Sequence, residues 1–207
     1  MGLVKRKAIQ LVEPGVRGQK QEWNKLVADL EDDEAAVRRQ AIRDITYSPD
    51  AAATLVSRVT REGDVAVREL ILNTLIRLND PSAIGGLVDC LRSEDAALRN
   101  EVIETFKQMG KEVEPILQSL LDDPDPDVRI FVLNCFDSEQ HADVESWLIK
   151  VIELDLQVNV CATAVDLLCE LGTEAAIDPL VQLKARFTFQ PYIQFAADLA
   201  LKRIREV

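Results

Sequence analysis

Residues 63–91, GDVAVRELILNTLIRLNDPSAIGGLVDCL, carry the pattern from which the fold is read. Val67, Ile71, Leu72 and Leu75 stand at i, i+4, i+5 and i+8, which puts them on one face of a helix. Asn79-Asp80-Pro81 interrupts that helix, and a second short apolar run follows it. Two helices with a Pro-marked turn result, and the chain repeats this plan about every thirty residues. Repeats of this length stack one supersecondary unit on the next, as a helical solenoid does.

Outward from this stretch the repeat follows one dipeptide. Val37-Arg38, Val67-Arg68, Leu98-Arg99, Val128-Arg129, Val160-Cys161 and Ile193-Gln194 fall 30, 31, 30, 32 and 33 residues apart. Three and four residues after the Arg position stand Ala41/Ile42, Ile71/Leu72, Val102/Ile103, Val132/Leu133 and Ala164/Val165. Ile45, Leu75, Phe106, Phe136 and Leu168 follow at plus seven. These residues share a helical face and are the expected core. The last unit fits less well, with Ala197 and Asp198 at the first two positions.

Six helix pairs are predicted, at 20–30/34–47, 50–60/64–78, 81–92/95–109, 112–121/125–137, 142–153/157–171 and 174–185/190–205. Asp64, Asp95 and Asp125 stand where a side-chain oxygen caps free N–H groups. Gly110, Gly172 and Asn79 suit the left-handed residue just past a helix end. Pro81, Pro115 and Pro179 fall near first turns, where a missing N–H costs little. The expected organisation is a basic arm over 1–19, flexible or a small capping segment, and one elongated domain over 20–207.

Low aromatic content, 5%, beside 47% apolar residues suits small aliphatic-packed helices. There is no apolar run long enough to span a membrane and no secretory signal pattern, so a cytoplasmic protein is expected. Cys90, Cys135, Cys161 and Cys169 form no CxxC pair and have no neighbouring histidine, which argues for core thiols rather than a zinc site. Net charge is −12, unevenly placed. Residues 1–20 hold Lys5, Arg6, Lys7, Arg17 and Lys20 against Glu13, a net of +4 that leaves −16 on the remainder. A body this acidic repels phosphate backbones, so nucleic-acid partners are not expected.

The pattern Asp-x-x-Val-Arg followed by Asp-Pro-x-Ala-Ile, seen in Asp64–Arg68 with Asp80–Ile84 and nearly so in Asp125–Arg129, resembles HEAT repeats of the phycobilisome-lyase-like type. The resemblance covers about residues 20–205. It implies an all-α fold, a right-handed α-α superhelical solenoid of about six helix pairs, with the Val-Arg helices lining the concave side. Fold does not fix function, so the resemblance leaves function open.

An acid four residues before each Arg lies one helical turn away: Glu34/Arg38, Asp64/Arg68, Asp95/Arg99 and Asp125/Arg129. The last two units replace both members together, as Gln157/Cys161 and Gln190/Gln194. The charges are therefore expected to pair with each other, or to form a ladder between repeats.

Enzyme chemistry is poorly supplied. HEAT-repeat deoxyhypusine hydroxylases use repeated His-Glu dipeptides, whereas this chain has the single His141, followed by Ala142. HEAT-like DNA glycosylases need a basic groove. Bilin lyases share the repeat type and remain the alternative, as an accessory enzyme or chaperone. The leading expectation is a non-enzymatic protein-interaction scaffold or adaptor, with no cofactor. On the face opposite the core most residues are polar or small, but Leu70, Ile130, Phe131, Tyr192 and Phe195 are not, which marks them as a candidate partner-binding patch. In the arm, Val4, Ala8, Leu11 and Val12 line one side of a short helix with Lys5, Arg6 and Lys7 beside them. These three are a second candidate, for an acidic partner or a membrane surface.

Overall fold

Helix starts in this chain are written in Asp and Pro. Asp80, Asp95 and Asp125 each sit in extended backbone and accept an N–H from the first turn that follows. Pro81 and Pro126 occupy first helical positions. The computed structural model describes residues 14–136 and 143–206, and these form helices and turns without a strand. The chain divides into two units, the first ending at Leu78 and the second starting at Asn79.

The first unit holds α1 (Pro14–Asp29), α2 (Ala35–Ile45), α3 (Ala51–Val59) and α4 (Val65–Leu78). Helix α1 packs on α2, α3 on α4, and α2 on α4, so two helix pairs lie side by side. Ile42, Ile45, Leu55, Ile71 and Leu75 are completely buried between them. Each such side chain contributes about 1.5–3 kcal/mol by leaving water. Beneath this core a charged cluster is also buried. Arg38 and Arg58 both donate to the Glu62 carboxylate at 2.8–2.9 Å.

The second unit holds α5 (Pro81–Cys90), α6 (Ala96–Met109), a 3-10 turn (Gly110–Val113), α7 (Glu114–Leu120), α8 (Pro126–Leu133), α9 (Val144–Leu154), α10 (Val158–Leu171), a second 3-10 turn (Glu174–Ala176), α11 (Ile177–Arg186) and α12 (Pro191–Glu206). Helices α8, α10 and α12 pack in succession, and α9 packs on α11, so the second helices of the pairs form one row and the first helices another. That is the all-α solenoid plan. Every expected core position from Ala41 to Leu168 is buried. In the last pair Ala197 is buried while Asp198 turns outward and meets Lys184.

Three local expectations change. Helix α1 already runs through Pro14 and Gly15, the supposed turn, upstream of the predicted start at 20. Helix α8 ends at Leu133 rather than 137; Cys135 and Phe136 continue as tight turns, and the Phe136 ring packs on Trp147 at 5.3 Å. Asn79 and Gly110 adopt the expected positive φ, but Gly172 does not: its φ is −65°. Glycine stands there because a Cβ would meet the Leu168 carbonyl oxygen at 2.5 Å.

Candidate interaction surface

Arg38, Arg99 and Arg129 hold structural contacts. Arg38 donates to the carbonyls of Asp32 and Asp33, Arg99 to Ser93 and Arg129 to Asp123, in each case reaching back to the loop that precedes its helix. Cys161 makes the same backward contact, to the Asp155 carbonyl. Gln194 substitutes its amide, donating to the carbonyls of Lys184 and Phe187. The expected one-turn pairs of Arg38 with Glu34 and of Arg129 with Asp125 do not form. Arg38 bonds forward to Glu62 and Arg129 to Asp155, each in the next loop, so the ladder between repeats is the arrangement found. The acids four residues before are committed elsewhere: Asp64, Asp95 and Asp125 accept N–H groups of Val67, of Ala97 and Leu98, and of Asp127.

The five patch residues separate. Leu70 lies on α4 in the first unit and is half-buried. Ile130 and Phe131 lie on α8, also half-buried, and the Arg99 guanidinium covers the Phe131 ring at 5.2 Å. Tyr192 and Phe195 on α12 are 54% and 67% exposed. The Tyr192 hydroxyl donates to both oxygens of Asp166 on α10, at 2.9 and 3.0 Å, and this bond to a carboxylate raises the phenol pKa. Leu199, one step further along the same side of α12 and 49% exposed, belongs with them. Its i, i+3, i+7 spacing from Tyr192 and Phe195 was the available signal. Between the two aromatic groups, α10 presents the small residues Ala162 and Thr163 at the equivalent repeat positions. Lys5, Arg6, Lys7 and His141 lie outside the described residues.

The second unit has two concavities. A groove of about 720 Å³ is lined by Asn100, Glu104 and Lys107 of α6, Asn134 after α8, and Leu167 and Glu170 of α10. A smaller cleft, about 350 Å³, surrounds the Arg129–Asp155 bridge and carries the exposed Leu154 and Leu156. These linings bring carboxylates, amides and aliphatic groups together. Burial pushes the Cys90 thiol up to about 11 and the Cys135 thiol up to about 12, which keeps both protonated at neutral pH.

Models of HEAT repeats match residues 24–107 and 113–138. The chain belongs to the HEAT-repeat proteins. No curated protein sequence matches it. Among solved structures, an engineered protein is 18% identical with a TM-score of 0.42, covering 88% of this chain and 98% of its own. A designed armadillo repeat protein is 16% identical with a TM-score of 0.37, covering 87% and 98%. The complex of CpcE and CpcF of phycocyanin lyase from Nostoc sp. is 13% identical with a TM-score of 0.34, covering 99% and 100%. HEAT repeats define a repeat scaffold, and no described helix is long and apolar enough to cross a membrane.

Proposed function

We propose that this chain is a non-enzymatic protein-interaction scaffold or adaptor, and that it takes a protein partner on the second unit's face formed by α8, α10 and α12. The observation that carries the reading is the exposed row of Tyr192, Phe195 and Leu199 along α12. An aromatic and aliphatic row beside polar side chains has the composition of a binding hot spot. The reading as a binder rather than an enzyme is supported by the supply of reactive groups, with one histidine in the whole chain and two thiols held neutral by burial.

The test is affinity capture from a native lysate with the wild type, Phe195→Asp/Leu199→Asp and Ile130→Asp/Phe131→Asp, each checked for folding by a circular dichroism melt. The expected result is a protein captured by the wild type and lost by the folded Phe195→Asp/Leu199→Asp variant, with Phe195→Ala alone weakening the complex by about 1–3 kcal/mol. Retention by both double variants overturns the site. A wild-type protein that emerges coloured by a bound linear tetrapyrrole overturns the scaffold reading in favour of a bilin-lyase-like role.

A further inference from the structure

Asp166 of α10 is exposed and forms no ion pair among the described residues. Both its oxygens accept the Tyr192 hydroxyl from α12, at 2.9 and 3.0 Å, so the carboxylate is held at the edge of an aromatic ring. Phe195, one helical turn on from Tyr192, adds a second exposed ring. Among the described residues no cation lies over either ring, whereas Arg99 lies over Phe131 at 5.2 Å and Arg186 over Phe187 at 4.8 Å. One turn before Asp166, on the same side of α10, stand Ala162 and Thr163. Side chains this small leave the carboxylate and the Tyr192 ring open to a long side chain entering from solvent. The basic groups of α11 and α12 are held at other acceptors: Lys184 meets Asp198, Lys202 stands near Glu206, and Arg203 donates to the Cys169 carbonyl. Arg203 keeps its charge there, one residue from Glu170 in the chain, so the argument rests on Asp166 and not on a net charge of the whole face.

We propose that Asp166, Tyr192 and Phe195 form an anchoring subsite for an arginine side chain of the protein partner. The proposal rests on the reading of this face as a binding surface and names the side chain that it takes. A guanidinium suits the three groups together. Its planar fork pairs with both oxygens of a carboxylate, and its flat face stacks on an aromatic ring. An ammonium is a point charge and satisfies the two less well. Each oxygen of Asp166 keeps a lone pair after accepting the hydroxyl, so the bond to Tyr192 does not close the carboxylate to a second donor. That bond also fixes where the carboxylate sits before the partner arrives, which reduces the ordering cost of binding. The stacks on Phe131 and Phe187 are the same pairing of groups made within the chain. Arginine and aromatic side chains dominate the energetics of protein interfaces. An exposed ion pair alone is weak, but a docked partner that covers Phe195 and Leu199 shuts out water and strengthens it.

The experiment selects phage-displayed random peptides on the immobilised full chain and on the Asp166→Asn, Asp166→Arg and Phe195→Ala variants. Binding of the enriched peptides is then measured by fluorescence anisotropy. The expected result is a set of peptides that need Phe195 and carry an arginine beside an apolar residue. Replacing that arginine by glutamine weakens binding to the wild type about tenfold, and weakens binding to Asp166→Asn much less. On Asp166→Arg the selection returns an acidic residue at the same place. A reversed preference cannot come from misfolding, so it separates recognition from damage. Phe195-dependent peptides without an arginine, or the same peptides from the wild type and Asp166→Arg, overturn this inference and leave the scaffold reading standing. Lysine that serves as well as arginine overturns the assignment to a guanidinium. Peptides that bind regardless of Phe195, or no enriched peptide at all, overturn both.

Discussion

Arg129 reaches forward 26 residues to hold both carboxylate oxygens of Asp155, at 2.7 and 3.1 Å, and reaches back to the carbonyl of Asp123. One guanidinium therefore ties its own entry loop to the next. Asp155 is equally committed: its side chain also accepts the Gln157 N–H, and its carbonyl accepts from Arg186 and Cys161. The bridge is nearly closed to solvent, with the two side chains 12% and 9% exposed. Such a junction sets the spacing of neighbouring repeats, and with it the geometry of α8 and α10 under the exposed face.

Asp155→Ala should accordingly destabilise the second unit by about 3 kcal/mol, since it strands a buried guanidinium as well as removing a loop hydrogen bond. Urea unfolding measures this. Arg129→Met/Asp155→Ala should recover part of the loss, because the stranded charge goes with its partner. A cost below about 1 kcal/mol for Asp155→Ala would show that the bridge is ornamental.

In the first unit, acid should act through Glu62. Burial pushes its carboxyl pKa up, but hydrogen bonds from Arg38 and the Asp64 N–H, with the charges of Arg58 and Arg38, outweigh this and hold it below the usual carboxylate range. A depressed folded-state pKa contributes stability that is present above the unfolded value, about 4.3, and is lost as pH falls through the lowered one. Melting monitored from pH 7 downward should show stability falling below about pH 4.3, while Glu62→Gln is already destabilised at pH 7 and loses less on acidification. Parallel pH profiles for the two proteins would contradict the assignment.

The helix pairs were legible because they rest on short-range facts: apolar spacing, capping Asp, first-turn Pro. The arginine ladder was not, since the acid that Arg38 holds lies 24 residues on and nothing in the local pattern names it over Glu34. The backward bond to the loop carbonyl is likewise invisible, because backbone acceptors leave no mark on the sequence. Part of the candidate surface was readable, as Tyr192 and Phe195 stand out on a polar face. Leu199 was readable too, from its spacing on α12; what the pattern could not supply was that the Arg99 guanidinium lies over the Phe131 ring.

Two glycines make opposite predictions. Gly172→Ala should cost about 1–3 kcal/mol, because the new Cβ meets a backbone oxygen, and the Ile204 side chain at 3.2 Å, with nothing flexible enough to yield at the carbonyl. Gly85→Ala, within α5 and with nothing inside 4 Å, should stabilise by about 0.5–1 kcal/mol through helix propensity. Thermal melts of both variants check the signs, and a destabilised Gly85→Ala would refute the second.

Thiol reactivity should sort the cysteines by burial. Cys90, Cys135 and Cys161 are buried, and burial raises all three thiols, whereas Cys169 is half-exposed. Under native conditions a disulfide reagent should modify Cys169 first and the other three only on the timescale of unfolding. Mass spectrometry of the partly labelled protein reads the order directly, and fast labelling of Cys135 would contradict it.

The binding face itself is tested most directly by site-specific photo-crosslinking. A benzophenone side chain is placed at Phe195 on α12 in one protein and at Val181 on α11 in another. Both positions are exposed, 67% and 48%, so neither substitution should disturb the core. On irradiation in a native lysate, the account predicts one discrete covalent adduct from position 195 and none from 181. An adduct from 181 alone, or from neither position, would contradict the claim that the Tyr192–Phe195–Leu199 row is where this scaffold takes its partner.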